Sequence, residues 1–384
     1  MTIRILNSCI FLVFFFTSCV TGVQEVADKP EVPVHFVAAP RNIILMIGDG
    51  MGMSQITGAM YSNNNRLALE RFKTIGLMTT HSANDLVTDS AAAATAMGCG
   101  LKTCNHCLGI DADSIPCKNI MEEAHDRDFA TGIVVTSSIV HATPAAFFAH
   151  QPLRYLYERI ALDLVDSNID FFVGGGMKNF EDREMDDRDL LQELRDKGYS
   201  VADYSYKSMD WLRTKTNGKK KVAYFSAWDD PEYAVNGRDY LLEATQIAML
   251  TLSNQSEKGY FLMVEGSQID WAGHAKKGNR MIEETLDFDR TVDMVLDYAR
   301  KDGNTLVIVT ADHESGGFSI NKGSKINNLV TAFTTNGHTG SLVPVFAYGP
   351  KSETFGGVYD NTDLYYKMIS ALGWTDMAGP IHGN

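Results

Sequence analysis

The chain has 384 residues, of which 45% are hydrophobic and 21% are charged. These values are typical of a globular protein and exclude a disordered, fibrous or coiled-coil chain, while the length fits one large α/β domain or two ordinary ones. The formal net charge of −14 argues against nucleic acid or an anionic membrane surface as the main partner, because either would need a basic face. An anionic ligand would therefore need local positive charge, which a bound metal ion usually supplies in an acidic protein.

The first residues are typical of an export signal. Arg4 precedes an apolar run over residues 10–16 that is too short to span a bilayer. Small residues precede Cys19, as in a bacterial lipoprotein cleavage site; the alternative is a plain cleaved signal in which Cys19 is incidental. We predict a signal peptide over residues 1–18, a flexible tether over 19–38 and a folded domain over 39–384. The protein would be exported to the periplasm, or anchored to the outer membrane as a lipoprotein.

Buried strands are predicted along most of the folded domain. Each is a short apolar run rich in β-branched residues, and amphipathic helical patterns such as residues 282–300 lie between them. The runs cover residues 42–47, 132–136, 260–264 and 305–310, with 171–173 and 343–348 as further candidates. The alternation predicts a three-layer α/β/α fold with a central, mostly parallel sheet.

Four cysteines cluster between residues 99 and 117, namely Cys99, Cys104, Cys107 and Cys117. In an exported protein such a cluster favours one or two local disulfides. A zinc site is the weaker alternative, because the Cys-x-x-Cys pair has no second pair of the same spacing. The sequence does not determine the connectivity.

Acidic, hydroxyl and imidazole side chains follow several of the predicted strands. They are Asp49, His141, Thr143, Glu265, Asp312 and His313. The carboxyl ends of parallel strands lie at the same edge of a sheet, where ligands bind. Crowded carboxylates repel one another unless cations lie among them, so the pattern favours a metal centre over a set of unrelated turn residues.

Three further residues are candidate ligands of this metal centre, and the sequence supports them to different degrees. Asp270 and His274 are four residues apart, so on a helix they face the same side, and their position just after Glu265 favours a shared metal ion over a surface pair. His338 precedes its strand rather than following it. Its position alone favours an exposed loop histidine.

Residues 88–96 have the sequence TDSAAAATA, which predicts a helix capped by Asp89 or Ser90. A hydroxyl at the positive end of a helix can help to hold an anion, and a divalent ion beside it would make it a nucleophile. Capping is the commoner role of such a serine, and the residue pattern leaves both roles open.

Together these motifs resemble the bacterial alkaline phosphatase family. The matching segments follow the family's order and are NIILMIGDGMG at 42–52, TDSAAAATA at 88–96, ATPA at 142–145, VEG at 264–266, D-x-x-x-H at 270–274, TADH at 310–313, HTG at 338–340 and TDLY at 362–365. The resemblance implies an alkaline phosphatase domain that hydrolyses small phosphate monoesters through a phosphoserine intermediate at Ser90.

The resemblance also implies two Zn²⁺ and one Mg²⁺ per chain. The implied ligands are Asp270, His274 and His338 for the first zinc, Asp49, Asp312 and His313 beside Ser90 for the second, and Asp49, Thr143 and Glu265 for the magnesium. His338 becomes a ligand through the resemblance, not through its spacing.

Arg154 aligns with the family's phosphate-binding arginine, and a planar guanidinium suits two phosphate oxygens. Without the family, a surface arginine would be the better prediction. His141 and Trp271 depart from the best-known enteric pattern, which has aspartate and lysine there. The resemblance implies that both lie near the third ion, as residues around the ligands or, for His141 with zinc, as a ligand, so the identity of that ion stays open.

Several alternatives remain at this point. A phosphodiesterase of the same superfamily would usually have a threonine nucleophile and no equivalent of Arg154, and a sulfatase would need a Cys/Ser-x-Pro-x-Arg motif, which Ser90 lacks. A lipid-anchored protein that binds phosphate or metal without turnover is a third. We expect no specific nucleic-acid binding and membrane contact only through a lipid on Cys19. A homodimer stays open, because residues 314–337 are short for the crown-like insertion of the family.

Overall fold

We describe residues 38–374 from a computed structural model. The predicted signal peptide, with Cys19 and nearly all of the tether, lies outside the described residues. Within the described range, none of the helices combines the length and apolarity needed to cross a membrane.

Ten strands form one central sheet in the order β14-β2-β13-β8-β1-β7-β3-β4-β6-β5. All neighbours pair in parallel except β13, which runs antiparallel to β2 and β8. The strands of the chain are β1 (Asn42–Gly48), β2 (Thr74–Thr79), β3 (Ala130–Ser138), β4 (Phe171–Gly175), β5 (Tyr199–Asp203), β6 (Lys221–Phe225), β7 (Tyr260–Gly266), β8 (Thr305–Thr310), β9 (Glu314–Ser315), β10 (Phe318–Ile320), β11 (Thr331–Phe333), β12 (His338–Thr339), β13 (Val343–Tyr348) and β14 (Gly357–Asp360). The predicted sheet is confirmed, and β10–β11 and β9–β12 form two small separate pairs.

Helices connect the strands and cover the sheet. They are α1 (Met53–Ser62), α2 (Ser90–Cys99), α3 (Ile120–Asp126), α4 (Ala142–Ala145), α5 (Tyr157–Asp166), α6 (Lys178–Glu181), α7 (Leu190–Asp196), α8 (Met209–Arg213), α9 (Tyr240–Gln255), α10 (Gln268–His274), α11 (Gly278–Asp302) and α12 (Asn361–Ala371). Every residue of β1, β3, β7 and β8 is buried, as expected for parallel strands that are covered on both faces.

The strand register aligns the ends of the three central strands. Ile47 in β1 pairs with Glu265 in β7 and with Thr310 in β8. Asp49 and Asp312 each lie two residues beyond these paired positions. The sheet therefore brings residues distant in sequence to one edge.

All four cysteines of the cluster are free thiols in the structure, so no disulfide joins them. The expectation of a formed disulfide is therefore not met. The Cys99 thiol donates to the Cys117 backbone carbonyl at 3.8 Å, and burial raises the pKa of Cys99 well above its usual value. Among the described residues, no group of side chains close enough to share a metal ion includes a cysteine.

We predict that a disulfide oxidant such as oxidised glutathione joins Cys99 to Cys117, because the Cys99 thiol already lies against the backbone of Cys117. By loop closure this bond should stabilise the fold by about 3 kcal/mol. Peptide mapping by mass spectrometry and the shift in Tm check this. Cys99→Ser should abolish the shift and Cys104→Ser should not; a peptide map with only a Cys104–Cys107 bond would contradict the pairing.

His150 connects three segments beside the cysteine loop. Its Nδ1 lies 2.6 Å from the Gly109 carbonyl, its Nε2 lies 3.0 Å from Glu122 Oε1, and its backbone N–H donates to Asp163 Oδ2. The hydrogen bond to Glu122 raises the pKa of His150 to about 9. A charged imidazole therefore supports this part of the fold at neutral pH.

The stability that His150 contributes should depend on pH. Its pKa in the fold exceeds the unfolded value of about 6.5, so the contribution is complete below that pH and is lost as the pH rises toward about 9. Urea unfolding should show that His150→Gln lowers the midpoint more at pH 6 than at pH 10. His125→Gln, at an exposed histidine of α3, is the control. An equal loss at both pH values would argue against this charge effect.

Candidate metal centre and nucleophile

Ser90 lies among buried acids and an imidazole. Its Oγ is 3.3 Å from His313 Nε2, and that nitrogen is 3.4 Å from Asp49 Oδ1 and 3.2 Å from Asp312 Oδ2. The backbone N–H of Gly50 donates to Asp312 Oδ1. Gly50 has φ +73, and a Cβ there would lie 2.9 Å from the Asp270 Cα, so glycine allows the turn after β1 to approach α10.

Ser90 is the first residue of α2, and Asp89 is its N-cap. The Asp89 side chain accepts a hydrogen bond from the Ala92 backbone N–H at 3.0 Å, which resolves the capping alternative in favour of Asp89. The Ser90 hydroxyl is thus not used as the cap. It is held at the positive end of a buried helix, where negative charge is stabilised.

A second cluster contains Asp270, His274 and His338. Their facing atoms are close: His274 Nε2 lies 3.1 Å from His338 Nε2, and the two Asp270 oxygens lie 3.2 and 3.4 Å from these nitrogens. Both Nδ1 atoms face backbone carbonyls, of Asn336 for His274 and of Thr88 for His338. These carbonyls fix both rings so that each Nε2 is directed at Asp270, an arrangement common around metal ions.

His338 reaches this cluster through a short strand pair. It lies in β12, where it pairs with Ser315 of β9, three residues after Asp312. Its ring stacks on that of His313 with centroids 3.5 Å apart. The prediction of an exposed loop histidine, made from position alone, is wrong, because a pairing between distant segments folds His338 toward the sheet edge.

The donor atoms form two groups that could each hold an ion. One group is Asp270, His274 and His338; the other is Asp49, Asp270 and His313. Asp270 belongs to both, whereas the family pattern placed it in the first alone. Asp312 lies beside the second group through its contact with His313.

Glu265 lies near Asp49, close enough for its charge to raise the pKa of Asp49, and Thr143 lies beside Glu265. Glu265 Oε1 and the Thr143 hydroxyl are buried and form no hydrogen bond, while Glu265 Oε2 accepts one from the Ser267 hydroxyl at 2.6 Å. Burial, with a contribution from the Asp312 charge, raises the pKa of Glu265 to about 8. These two oxygens are suited to a small divalent cation such as magnesium.

The electrostatics of the site fit bound cations. Burial, followed by the charges of Asp312, Asp270 and Glu265, raises the pKa of Asp49 well above its usual value. Both Asp49 oxygens, Asp312 Oδ2 and His313 Nδ1 are buried without a hydrogen bond. Carboxylate and imidazole donors are those that zinc prefers, and positive ions would relieve both the repulsion and the unmet bonding.

Arg154 is held beside the start of α2 by Asp89. Its Nη1 donates to Asp89 Oδ2 at 2.9 Å and its Nη2 lies 3.4 Å from His141 Nε2. Only 12% of its side chain is exposed, so the sequence-based alternative of a surface arginine is wrong. Sequence reasoning missed the part of Asp89 in holding Arg154, since a carboxylate at a helix start is explained by capping alone.

His141 and Trp271 pack against each other, with ring centroids 5.6 Å apart in an edge-to-face contact. Burial, together with the nearby Arg154 charge, lowers the pKa of His141 to about 3, so its imidazole is neutral. His141 Nδ1 is buried without a hydrogen bond. The structure thus brings together the two positions that depart from the enteric pattern.

Comparisons with known proteins agree with the geometry of the site. The alkaline phosphatase family profile matches residues 40–332 and 328–374. Alkaline phosphatase 3 of Bacillus subtilis is 34% identical over 93% of this chain and 94% of its own length. The alkaline phosphatase of Escherichia coli is 32% identical over 91% of this chain and 88% of its own.

Solved structures agree with the sequence relatives. The alkaline phosphatase of the Antarctic bacterium TAB5 superposes with a TM-score of 0.82 at 40% identity, over 88% of this chain and 99% of that chain. The cold-active enzyme of a psychrophilic Shewanella gives a TM-score of 0.79 at 31% identity, over 86% and 99%. The chain therefore belongs to the alkaline phosphatase family and is a phosphate monoester hydrolase.

Proposed function

We propose that Ser90 is the nucleophile and that hydrolysis proceeds through a phosphoserine. The observation that carries this proposal is the contact of the Ser90 hydroxyl with His313, beside Asp49 and Asp312 and at the start of α2. In the first step the Ser90 Oγ–phosphorus bond forms and the ester oxygen leaves as the alcohol. In the second step water attacks phosphorus and Ser90 is released with inorganic phosphate.

Arg154 would bind and orient the phosphoryl group. Its guanidinium is almost buried and anchored on Asp89, so its geometry is set before the substrate arrives. The backbone N–H groups at the start of α2 face the same region and favour the negative charge of the transition state. This pairing of a fixed arginine with Ser90 favours a monoester, which carries more negative charge on its phosphoryl oxygens than a diester.

We propose two zinc sites and one magnesium site in this chain. Asp270, His274 and His338 would hold the first zinc, and Asp49, Asp312 and His313, with Asp270 nearby, the second. When bound, such ions supply the positive charge that lowers the pKa of a hydroxyl or a water molecule and stabilises the departing oxygen. Asp49, Thr143 and Glu265 would hold the magnesium.

His141 and Trp271 would lie around the ligands of the third site. A solved variant of the TAB5 alkaline phosphatase, with a histidine replaced by aspartate, has magnesium bound at its M3 site. This supports a cation at the third site of this chain. The neutral His141, with an unbonded Nδ1, offers a nitrogen donor there, so zinc at this position is the alternative.

We also propose where the protein is located. We propose an exported protein whose alkaline phosphatase domain spans residues 39–384, attached through residues 19–38 and a lipid on Cys19. Its substrates would be small phosphate monoesters of the surrounding medium.

Replacing Ser90 tests the nucleophile. Ser90→Ala should lower kcat/KM for a phosphate monoester at least about 10³-fold, because the attacking oxygen is gone. If turnover of the unaltered protein is quenched with acid, mass spectrometry should find phosphate on the peptide that contains Ser90. Thr251→Ala is the control, since it removes a buried helix hydroxyl that bonds only the Ile247 carbonyl. Retained turnover in Ser90→Ala would refute Ser90 as the nucleophile. Absence of turnover in the unaltered protein, with phosphate binding unchanged in Ser90→Ala, would instead favour the non-catalytic binding protein.

Chelation tests the metal sites. We expect removal of metal to abolish monoester hydrolysis, full recovery to need both zinc and magnesium, and diester and sulfate ester hydrolysis to stay near background throughout. Metal analysis should show that His274→Ala loses about one zinc per chain, because the first cluster loses a donor. The exposed His125→Ala should keep its full metal content. Activity that survives chelation with no bound metal would refute the proposed centre.

A further inference from the structure

An exposed aromatic rim borders the site next to Arg154. It consists of His106, Tyr155 and Tyr157, whose exposed fractions are 49%, 54% and 36%. Large rings left exposed next to a functional site are more informative than scattered surface residues, since they offer apolar area to a ligand.

The rings of the aromatic rim form a continuous row. The centroids of His106 and Tyr155 are 5.7 Å apart, and those of Tyr155 and Tyr157 are 6.4 Å apart in an edge-to-face arrangement. The guanidinium carbon of Arg154 lies 5.9 Å from the Tyr155 ring centroid. The row therefore starts at the group that would hold the phosphate and extends away from it.

Backbone and side-chain hydrogen bonds connect the rim to the site. The Arg154 N–H donates to the His106 carbonyl at 2.8 Å, and Asn105 accepts from the Asp89 N–H at 3.1 Å. Asn105 also donates to the Val87 carbonyl, at the exposed edge near His338. The rim is thus fixed relative to both Ser90 and Arg154.

The backbone at His106 is strained. Its φ of +74 lies in the left-handed region, which is unfavourable for a residue with a side chain and persists where neighbours hold it. This conformation puts His106 Nδ1 3.2 Å from Asp89 Oδ2 and leaves the ring beside Tyr155. The contact with Asp89 holds the strained backbone in place, while the His106 ring itself stays exposed.

We propose that the aromatic rim binds the planar base of nucleoside monophosphates and makes them preferred substrates of this enzyme. The proposal rests on the assigned roles of Ser90 and Arg154, which fix the phosphoryl group at one end of the row. A base that lies one sugar away can then stack on Tyr155 and His106. Stacking of bases on aromatic side chains is favourable for every base, so the preference would not depend strongly on base identity.

A comparison of AMP with ribose 5-phosphate tests the rim, because both lose phosphate from the same primary alcohol and only AMP has a base. For the unaltered enzyme we expect kcat/KM to be about tenfold higher for AMP, from stacking on exposed rings. Tyr155→Ala and His106→Ala should each bring the AMP to ribose 5-phosphate ratio toward one. Tyr155→Phe should keep the ratio, since the ring remains.

Tyr206→Ala is the matched control, since it removes an exposed tyrosine that follows β5 at the edge of the sheet. It should leave the ratio unchanged. Adenosine should also compete with ribose 5-phosphate, about tenfold more weakly in Tyr155→Ala. A ratio near one in the unaltered enzyme, or equal losses on both substrates in Tyr155→Ala, would overturn the rim proposal. Failure to hydrolyse either substrate would instead count against the proposed roles of Ser90 and Arg154.

Discussion

The burial of several carboxylates in one cavity is the constraint on which the rest of this structure depends. The four are Asp49, Glu265, Asp270 and Asp312, each at most 4% exposed. Taking even one ionised carboxylate from water is costly, and each added charge raises the pKa of the others. Only cations in the same cavity can keep such a group ionised near neutral pH. Arg154 and the imidazoles of His274 and His338, whose pKa values are raised by Asp270, supply part of that charge, and divalent ions would supply the rest.

The fold forms this acidic site at one edge of the central sheet. Three central strands end at the same level, with Asp49 and Asp312 just beyond β1 and β8 and Glu265 at the end of β7. The helix α2 then presents its N-terminus, and with it Ser90, to the same space. A rigid parallel sheet is a good support for such a site, because it fixes the spacing of the ligands before any ion binds.

The sequence predicts what is periodic and local, and it predicts poorly what depends on distant pairing. The buried runs that became β1, β3, β7 and β8 stand out because they are covered on both faces. The strands β2, β5 and β14 lie at or next to the edges of the sheet, carry half-buried or exposed residues and escape notice. Among the site residues, Asp270 and His274 share a helical turn, which their spacing and their position just after Glu265 together indicate. His338 reaches the site through the pairing of β12 with β9 and Arg154 through a loop, and the family resemblance was needed to select them.

Asp89 links the chemistry to the surface around it. Its Oδ1 accepts from the backbone N–H groups of Ala92 and His106, and its Oδ2 accepts from Arg154. Although burial alone would raise the pKa of Asp89, the Arg154 charge and these hydrogen bonds lower it below the usual value, so the carboxylate stays ionised. One buried charge therefore sets the start of the nucleophile helix, the direction of the arginine and the position of the aromatic rim. Loss of that charge would move all three together, which explains why a residue with no direct part in bond breaking lies at the centre of the site.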